Sequence, residues 1–330
     1  MILAGDIGGT STRLALFNVD GGRVAMVNRQ TYPSADYDSL AAVVRRFSEE
    51  HGHDVDHAAF GVAGPVRDGQ AKATNLPWLV DSTRLVDELG VKAVGLINDL
   101  EANAYGVAAL DADDFTVLNA GEHDASGNAA IIAAGTGLGE AGLYWDGKRH
   151  HPFASEGGHA DFAPRNELEI ELLHYLLRRH DRVSYERVLS GPGLHAIYEF
   201  LRDSGQGTES QRIADAMRED DPAAVISNAA LAGECRLCAD ALDMFVAFYG
   251  AAAGNLALKM MARGGMYLGG GIAPKIIEKL KQPVFMETFI SKGRMEELLR
   301  DIPVHVIMND QTALIGAARY AALRAGLLDG

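Results

Sequence analysis

The sequence is poor in cysteine and short of positive charge. Two cysteines, Cys235 and Cys238, stand in 330 residues. That count excludes a disulfide scaffold and suits a reducing compartment. Lysine and arginine total 30 against 45 aspartates and glutamates, a formal net charge of −15. So acidic a chain argues against nucleic acid or an anionic membrane as partner, since both need a basic face. No basic segment followed by an apolar one opens the chain as a secretory signal would. The longest apolar stretches are broken by charge or glycine short of the roughly 20 residues of a membrane span. The expectation is a cytoplasmic protein. Two nucleotide-binding signatures are also missing. Without GxxxxGK[ST] there is no P-loop, and without GxGxxG after the first strand a dinucleotide fold is disfavoured.

What is present is an α/β pattern long enough for two domains. "ILAGDI", "RLALFNV" and "RVAMVNRQTY" read as consecutive strands, with Gly21-Gly22 turning between the last two. "DYDSLAAVVRRFSEEH" has helical apolar spacing. "HAAFGVAGPV" and "AVGLIND" are buried-type strands, and "DLEANAYGVAAL" is a helix after the second. Strands interleaved with helices predict a largely parallel sheet. A polar stretch after Leu110 marks a boundary, and "AAIIAAGTGLGEAGLYWDGK" restarts a strand–turn–strand pattern. From Pro222 to about Arg263 the chain reads as alanine-rich helix with weak points at Gly233, Gly250 and Gly254. "GGMYLGGGIAPKIIEKL" returns to strand, glycine turn and helix, "PVHVIM" is a late strand, and "QTALIGAARYAALRA" a closing helix.

"GGTSTRLALFNVDG" overlays "AGTGLGEAGLYWDG" without a gap, placing Gly9 on Gly135, Thr10 on Thr136, Asp20 on Asp146 and Gly21 on Gly147. The repeat predicts an internal duplication whose glycine turns offer backbone N–H groups to phosphates. Glycine allows close approach and positive φ there. Asp6, at the end of the first strand, is placed to face a magnesium ion carried by those phosphates. Asn98-Asp99 ends an apolar strand where a helix begins. Asp99 there reads either as an N-cap or as a base taking a proton from a hydroxyl that attacks a γ-phosphate. "ASEGGHADFAP" gathers Glu156, His159 and Asp161 around two glycines, which suits hydrogen bonding to a polyol better than metal binding. Glu186 in "SYERVLSGPGL" reads alone as a helix-surface acid. The Cys235-x-x-Cys238 pair, read as lying mid-helix, lacks the further ligands of a zinc site.

Taken in order, "GDIGGTSTRLAL", "GVAGPV", "TNLPW", "LINDLEANAYG", "AGTGLGEAGL", "SEGGHADFAP", "YERVLSGPGL" and "YLGGGIAPK" resemble the bacterial-type ATP-dependent glucokinases, in the superfamily of actin-like sugar kinases and chaperone ATPases. The resemblance covers nearly the whole chain. It implies a two-lobed actin-like ATPase (ribonuclease H-like) fold with duplicated α/β domains and an interlobe cleft. Residues 1–110 plus 310–330 would form the small lobe and 111–309 the large one. It implies ATP contacts at Gly5, Asp6, Ile7, Gly8, Gly9 and Thr10, at Gly135, Thr136 and Gly137, and at Gly269, Gly270 and Gly271. Sugar contacts would fall on Asn98, Asp99, Glu156, His159 and Glu186, with Asp99 as general base. Glucose and ATP would be the substrates, Mg²⁺ near Asp6 the cofactor, and a homodimer the assembly.

Two departures from the family pattern stand out. Ser11 replaces the Asn that commonly follows Gly-Gly-Thr. The region after the EGGH segment reads "ADFAPRNELEIE", without the cysteines of the zinc-containing repressor-and-kinase branch, which favours a zinc-free site. Kinase action on mannose, fructose or N-acetylglucosamine, or a sugar sensor without turnover, are the alternative readings. A sensor would call for a DNA-binding extension or a lost base, and Asp99 is in place.

Overall fold

The structure, a computed structural model, describes residues 1–52, 55–73 and 76–328. Thr74 and Asn75 of the "TNLPW" stretch lie outside the described residues. The chain divides into two compact units. One comprises Met1–Asp114, Leu143–Ala154 and Asn309–Gly330, and the other Phe115–Gly142 and Ser155–Met308. The segment Leu143–Ala154, which a division near residues 110 and 310 leaves in the second domain, groups with the first unit.

The first unit opens with β1 (Ile2–Ile7), β2 (Ser11–Asp20) and β3 (Arg23–Pro33). Helix α1 (Leu40–His51) and strand β4 (His57–Val62) follow. A small antiparallel sheet of β5 (Val66–Arg67), β6 (Gln70–Lys72) and β7 (Leu79–Asp81) comes next. Helix α2 (Ser82–Leu89), strand β8 (Ala93–Asn98) and helix α3 (Asp99–Val107) complete this part. The main sheet has the order β3-β2-β1-β4-β8. β1 pairs antiparallel with β2 and parallel with β4, and β4 parallel with β8. β1 is apolar on both faces, as a strand buried on both sides must be. Leu3 and Ile7 join Phe47, Phe60 and Trp78 on one side. Ile2 and Ala4 meet Ala15, Phe17 and the closing helix on the other.

The second unit opens with β9 (Phe115–Asn119), β10 (Ala129–Ala134) and the first part of β11 (Leu138–Trp145), while the end of β11 and nearly all of β12 (His150–Ser155) belong to the segment that groups with the first unit. Helices α4 (Glu167–Leu177), α5 (Gly191–Asp203), α6 (Gln211–Glu219), α7 (Pro222–Leu231) and α8 (Arg236–Met260) follow. Then come β13 (Gly265–Gly269), α9 (Ile277–Leu280), α10 (Pro283–Ile290), α11 (Glu296–Arg300) and β14 (Val304–Ile307). Helix α12 (Thr312–Arg324) returns to the first unit. The second sheet has the order β12-β11-β10-β13-β14-β9. Its first five strands repeat the order of the first sheet, with β10, β13 and β14 parallel and β9 added antiparallel at the edge.

The alanine-rich run from Pro222 is two helices, not one. Gly233, at φ 69°, ends the first, and Cys235 starts the second as its N-cap, its Sγ accepting the Cys238 N–H at 3.2 Å. The cysteine pair therefore opens α8 and does not lie mid-helix. With a mean hydropathy of 1.4, α8 is long and apolar enough to cross a membrane by length and composition alone, although no apolar stretch of that length stands out in the sequence. Here most of it is core: Leu242, Phe245, Val246 and Tyr249 are fully buried. Helices α3 and α12 cross almost backbone to backbone. A Cβ on Gly316 would collide with the Ala102 carbonyl, and one on Gly106 with the Thr312 carbonyl.

Candidate active site

The first glycine turn lies between β1 and β2. Gly5 and Ile7 are buried in the sheet. A Cβ on Gly5 would lie 2.5 Å from the Phe60 ring, so this glycine is needed for packing. Asp6, Gly8, Gly9 and Thr10 reach the surface. Ser34, itself buried, braces the turn: its Oγ donates to the Gly8 carbonyl at 2.8 Å and its N–H to the Thr10 carbonyl at 3.0 Å. The Gly8 N–H is taken by the Ser11 carbonyl, whereas the N–H groups of Gly9 and Thr10 have no partner among the described residues. The Asp6 side chain is 25% exposed, with the Arg13 guanidinium 3.9 Å away. Burial pushes its carboxyl above the usual range, and Arg13 only partly offsets that.

β8 delivers Asn98 and Asp99 to the start of α3. The N-cap is Asn98, not Asp99: its Oδ1 accepts the Leu100 N–H at 2.9 Å, and its Nδ2 donates to the Gly64 carbonyl at 3.1 Å. Asp99 is the first helical residue, half-buried, and its Oδ1 accepts the Leu100 N–H at 2.9 Å.

The second glycine turn, between β10 and β11, has the Gly135 N–H on the Gly137 carbonyl at 2.9 Å. The N–H groups of Thr136 and Gly137 have no partner among the described residues. Glu186 closes on this turn. Its Oε2 accepts the Leu138 N–H at 3.0 Å, and a Cβ on Gly137 would lie 2.6 Å from that oxygen. Glu186 lies in a single 3-10 turn, Tyr185–Arg187, and is not a helix-surface acid. Gly157–His159 is another such turn. Cβ atoms at Gly157 and Gly158 would collide with the Glu140 carboxylate and the Leu138 carbonyl, so both glycines are required to lay this turn against β11. His159 Nδ1 is 3.9 Å from Glu186 Oε1, and its Nε2 is 3.9 Å from Glu156 Oε2. These gaps exceed hydrogen-bond length, leaving three polar groups side by side with capacity to bond a ligand. The Tyr185 N–H on the Ala160 carbonyl, at 2.9 Å, ties the two segments together.

Gly269 is buried at the end of β13, where the Tyr249 hydroxyl reaches its carbonyl at 3.2 Å. Of the glycines assigned to phosphate or adenosine, only Gly270 has a positive φ, 80°. The other turns use glycine for close approach, not for left-handed backbone.

The glucokinase family model matches residues 3–324. The chain belongs to the glucokinase family. A glucokinase of Nostoc sp. is 46% identical over 338 residues, covering 98% of this chain and 99% of the relative. The crystal structure of a glucokinase from an Antarctic psychrotroph matches with TM-score 0.84 at 35% identity, covering 98% of each chain. A ROK family glucokinase from Streptomyces griseus, solved with glucose and AMPPNP, matches with TM-score 0.65 at 21% identity, over 98% of this chain and 99% of that one. This last likeness speaks to the fold, which is the actin-like ATPase fold of these kinases.

Within this glucokinase-family frame, the sequence reading missed Glu140. It is buried in β11 beneath Gly157, and burial raises its carboxyl against a partial offset from Lys259. An acid inside the apolar run "GLGEAGLYW" was the available signal. Gly64, at φ 123°, was also missed as the partner of Asn98. Among the described residues, no group of three or more His, Cys, Asp or Glu is arranged to hold a metal ion.

Proposed function

We propose that the protein is a glucokinase that transfers the γ-phosphoryl group of ATP to the 6-hydroxyl of D-glucose, giving glucose 6-phosphate and ADP. The observation that carries this reading is Asp99, a carboxylate at the C-terminal end of a parallel strand in a chain of the glucokinase family. Asp99 accepts the hydroxyl proton as O6 bonds to the γ-phosphorus and the bond to the ADP oxygen breaks. Asn98, anchored by its bonds to the Gly64 carbonyl and the Leu100 N–H, bonds a ring hydroxyl. Glu156, His159 and Glu186 bond ring hydroxyls. The unpartnered N–H groups of Gly9, Thr10, Thr136 and Gly137 bind phosphate oxygens. Gly269, Gly270 and Gly271 border the adenosine, and Gly5 and Ile7 support the first turn from within the sheet.

Asp6 fits a magnesium ion. Its carboxylate is partly exposed, and Arg13, the one cation in ion-pair range among the described residues, stands 3.9 Å away. When bound, Mg²⁺ neutralises phosphate charge. A homodimer, which rests on the family resemblance, and a cytoplasmic location, which rests on the cysteine-poor composition, belong to the same proposal.

The test is a coupled assay of ADP release over glucose, mannose, fructose and N-acetylglucosamine, with ATP and with polyphosphate as donors. Glucose with ATP should exceed every other pair in kcat/KM by at least about tenfold, a difference of ~1.4 kcal/mol. A higher value for another hexose, or no turnover of any, overturns the reading.

A further inference from the structure

The first unit holds a second concave site, at the far end of α3 from Asp99. A cavity of about 530 Å³ is walled by the C-terminal half of α3, the tip of the β11–β12 hairpin and the last turns of α12. The proposed base begins α3, whereas Ala104, Tyr105 and Ala108 line this cavity, roughly 8–14 Å along the helix axis at 1.5 Å per residue.

Its chemistry runs against the character of the chain. In a protein of net charge −15, Lys148, Arg149, Arg319 and Arg324 all line one pocket. None of the four is in an ion pair within 4 Å among the described residues. The nearby hairpin acid, Asp146, is already engaged. It holds the His151 ring at 2.6 Å and accepts the N–H groups of Lys148 and Arg149 at 2.8 and 2.9 Å. Arg149 Nε meets only His151 Nε2, at 3.4 Å. Arg324, in the last turn of α12, also offsets the helix dipole and donates to the Tyr320 hydroxyl at 3.1 Å. No such local role exists for Arg319, which is half-buried and makes no hydrogen bond to another side chain among the described residues. Burial and the like charge of Arg149 both act against its protonation. Two guanidinium groups brought near one another without a carboxylate cost free energy that a bound anion would recover. Trp145, Tyr105 and Tyr320 supply flat apolar surface beside the charges, Tyr105 and Tyr320 edge to face at 5.2 Å.

We propose that this pocket binds a small phosphate ester of hexose phosphate or nucleotide size, held by Arg149 and Arg319 with its ring against Trp145 and Tyr320. Guanidinium forks match phosphate oxygens in pairs, and the volume lies in the range of small-ligand sites. The nearby aromatic faces select an ester over the bare ion.

The probes are glucose 6-phosphate, ADP and inorganic phosphate, titrated at constant ionic strength into the full-length protein. Binding is followed by calorimetry and by the emission of Trp145, one of two tryptophans in the chain. Glucose 6-phosphate or ADP should bind saturably and more tightly than inorganic phosphate, and which ester wins identifies the source. Arg319→Gln and Arg149→Gln should each weaken that binding at least about tenfold, while His159→Ala should leave it unchanged. Turnover of glucose by the two arginine variants, without added ester, should match the parent. The proposal is overturned by a signal that follows ionic strength alone, by binding retained in both arginine variants, or by binding lost in His159→Ala. It is equally overturned if Arg319→Gln instead dissolves an oligomer, since the occupant would then be an acidic segment of a second copy.

Discussion

The two halves of the duplicated fold end corresponding strands with the same dipeptide. Asn98-Asp99 follows β8, and Asn309-Asp310 lies just beyond β14. Both asparagine side chains close the same local turn: Asn98 Oδ1 takes the N–H two residues on at 2.9 Å, and Asn309 Oδ1 does so at 2.8 Å. The aspartates differ. Asp310 has Arg29 4.0 Å from its carboxylate and Arg13 on its carbonyl at 3.0 Å, and its side chain is 72% exposed. Asp99 is half-buried at a helix N-terminus, where its Oδ1 accepts the Leu100 N–H at 2.9 Å. The same divergence marks the glycine turns. In the first half an acid, Asp6, stands on the strand itself and Ser34 fastens the turn from within. In the second half the aligned strand position is Ile132, and the acid arrives from Glu186, far along the chain. The two halves share the backbone frame and the asparagine turn, while their acids stand at different places in each half.

The sharpest way to break this comparison is to neutralise each aspartate. Asp99→Asn should lower kcat by at least about 10²-fold while glucose binding stays within about tenfold, as removal of a general base requires. Asp310→Asn should leave kcat within about twofold. Steady-state kinetics with a direct glucose-binding measurement check both, and equal losses would make the two strand ends functionally alike.

A smaller contrast separates the groups that close on the two turns. Glu186→Ala should cost on the order of 2–4 kcal/mol in kcat/KM for glucose with little change in melting temperature, because it strips a partner from the sugar. Ser34→Ala should instead cost about 1–3 kcal/mol of stability, because buried partners at Gly8 and Thr12 lose their hydrogen bonds. Its kcat/KM below the unfolding transition should hold. Denaturation midpoints read beside kinetics would expose an exchange of the two roles.

The smallest effect concerns pH. Laying Asn309 on Asn98 places His305 on Val94. The His305 ring stacks on Tyr267 at 5.6 Å, its Nδ1 is buried without a partner, and burial holds its pKa below the ordinary 6.5. Below that value the unfolded chain takes up a proton that the folded ring resists. Stability therefore falls as pH drops through about 6.5 and stops falling once the folded ring itself titrates. His305→Val should flatten this part of the stability profile between about pH 7 and 5. An unchanged slope would assign the acid sensitivity to other groups.

The fold was legible where local pattern and repeat coincide. Gly9 over Gly135 and Asp20 over Asp146 disclosed the duplication, because a glycine turn needs particular residues at fixed spacing. The companion match of Asn98 with Asn309 was not seen, since a capping asparagine is too common to signal alone. Asp99, Glu156 and His159 stood out as polar residues at strand ends and glycine pairs. The closure of Glu186 onto Leu138 was invisible, because contact across 48 residues leaves no local trace. The same holds for the basic pocket, whose charges come from a hairpin and two helices far apart in sequence. The break before Cys235 was misread because alanine-rich sequence favours helix on both sides of a short turn.

The crossing of α12 over α3 also orders events on the ribosome. Ile2, Ala4, Ala15 and Phe17 are among the first apolar residues made, yet the helix that covers them is among the last. Roughly 300 residues must be added in between, on the order of 15–60 s at ordinary elongation rates. Throughout that interval the opening sheet has one face without its cover. The first half cannot mature as an independent nascent domain, and it stays a target for chaperones until the whole second half has been translated.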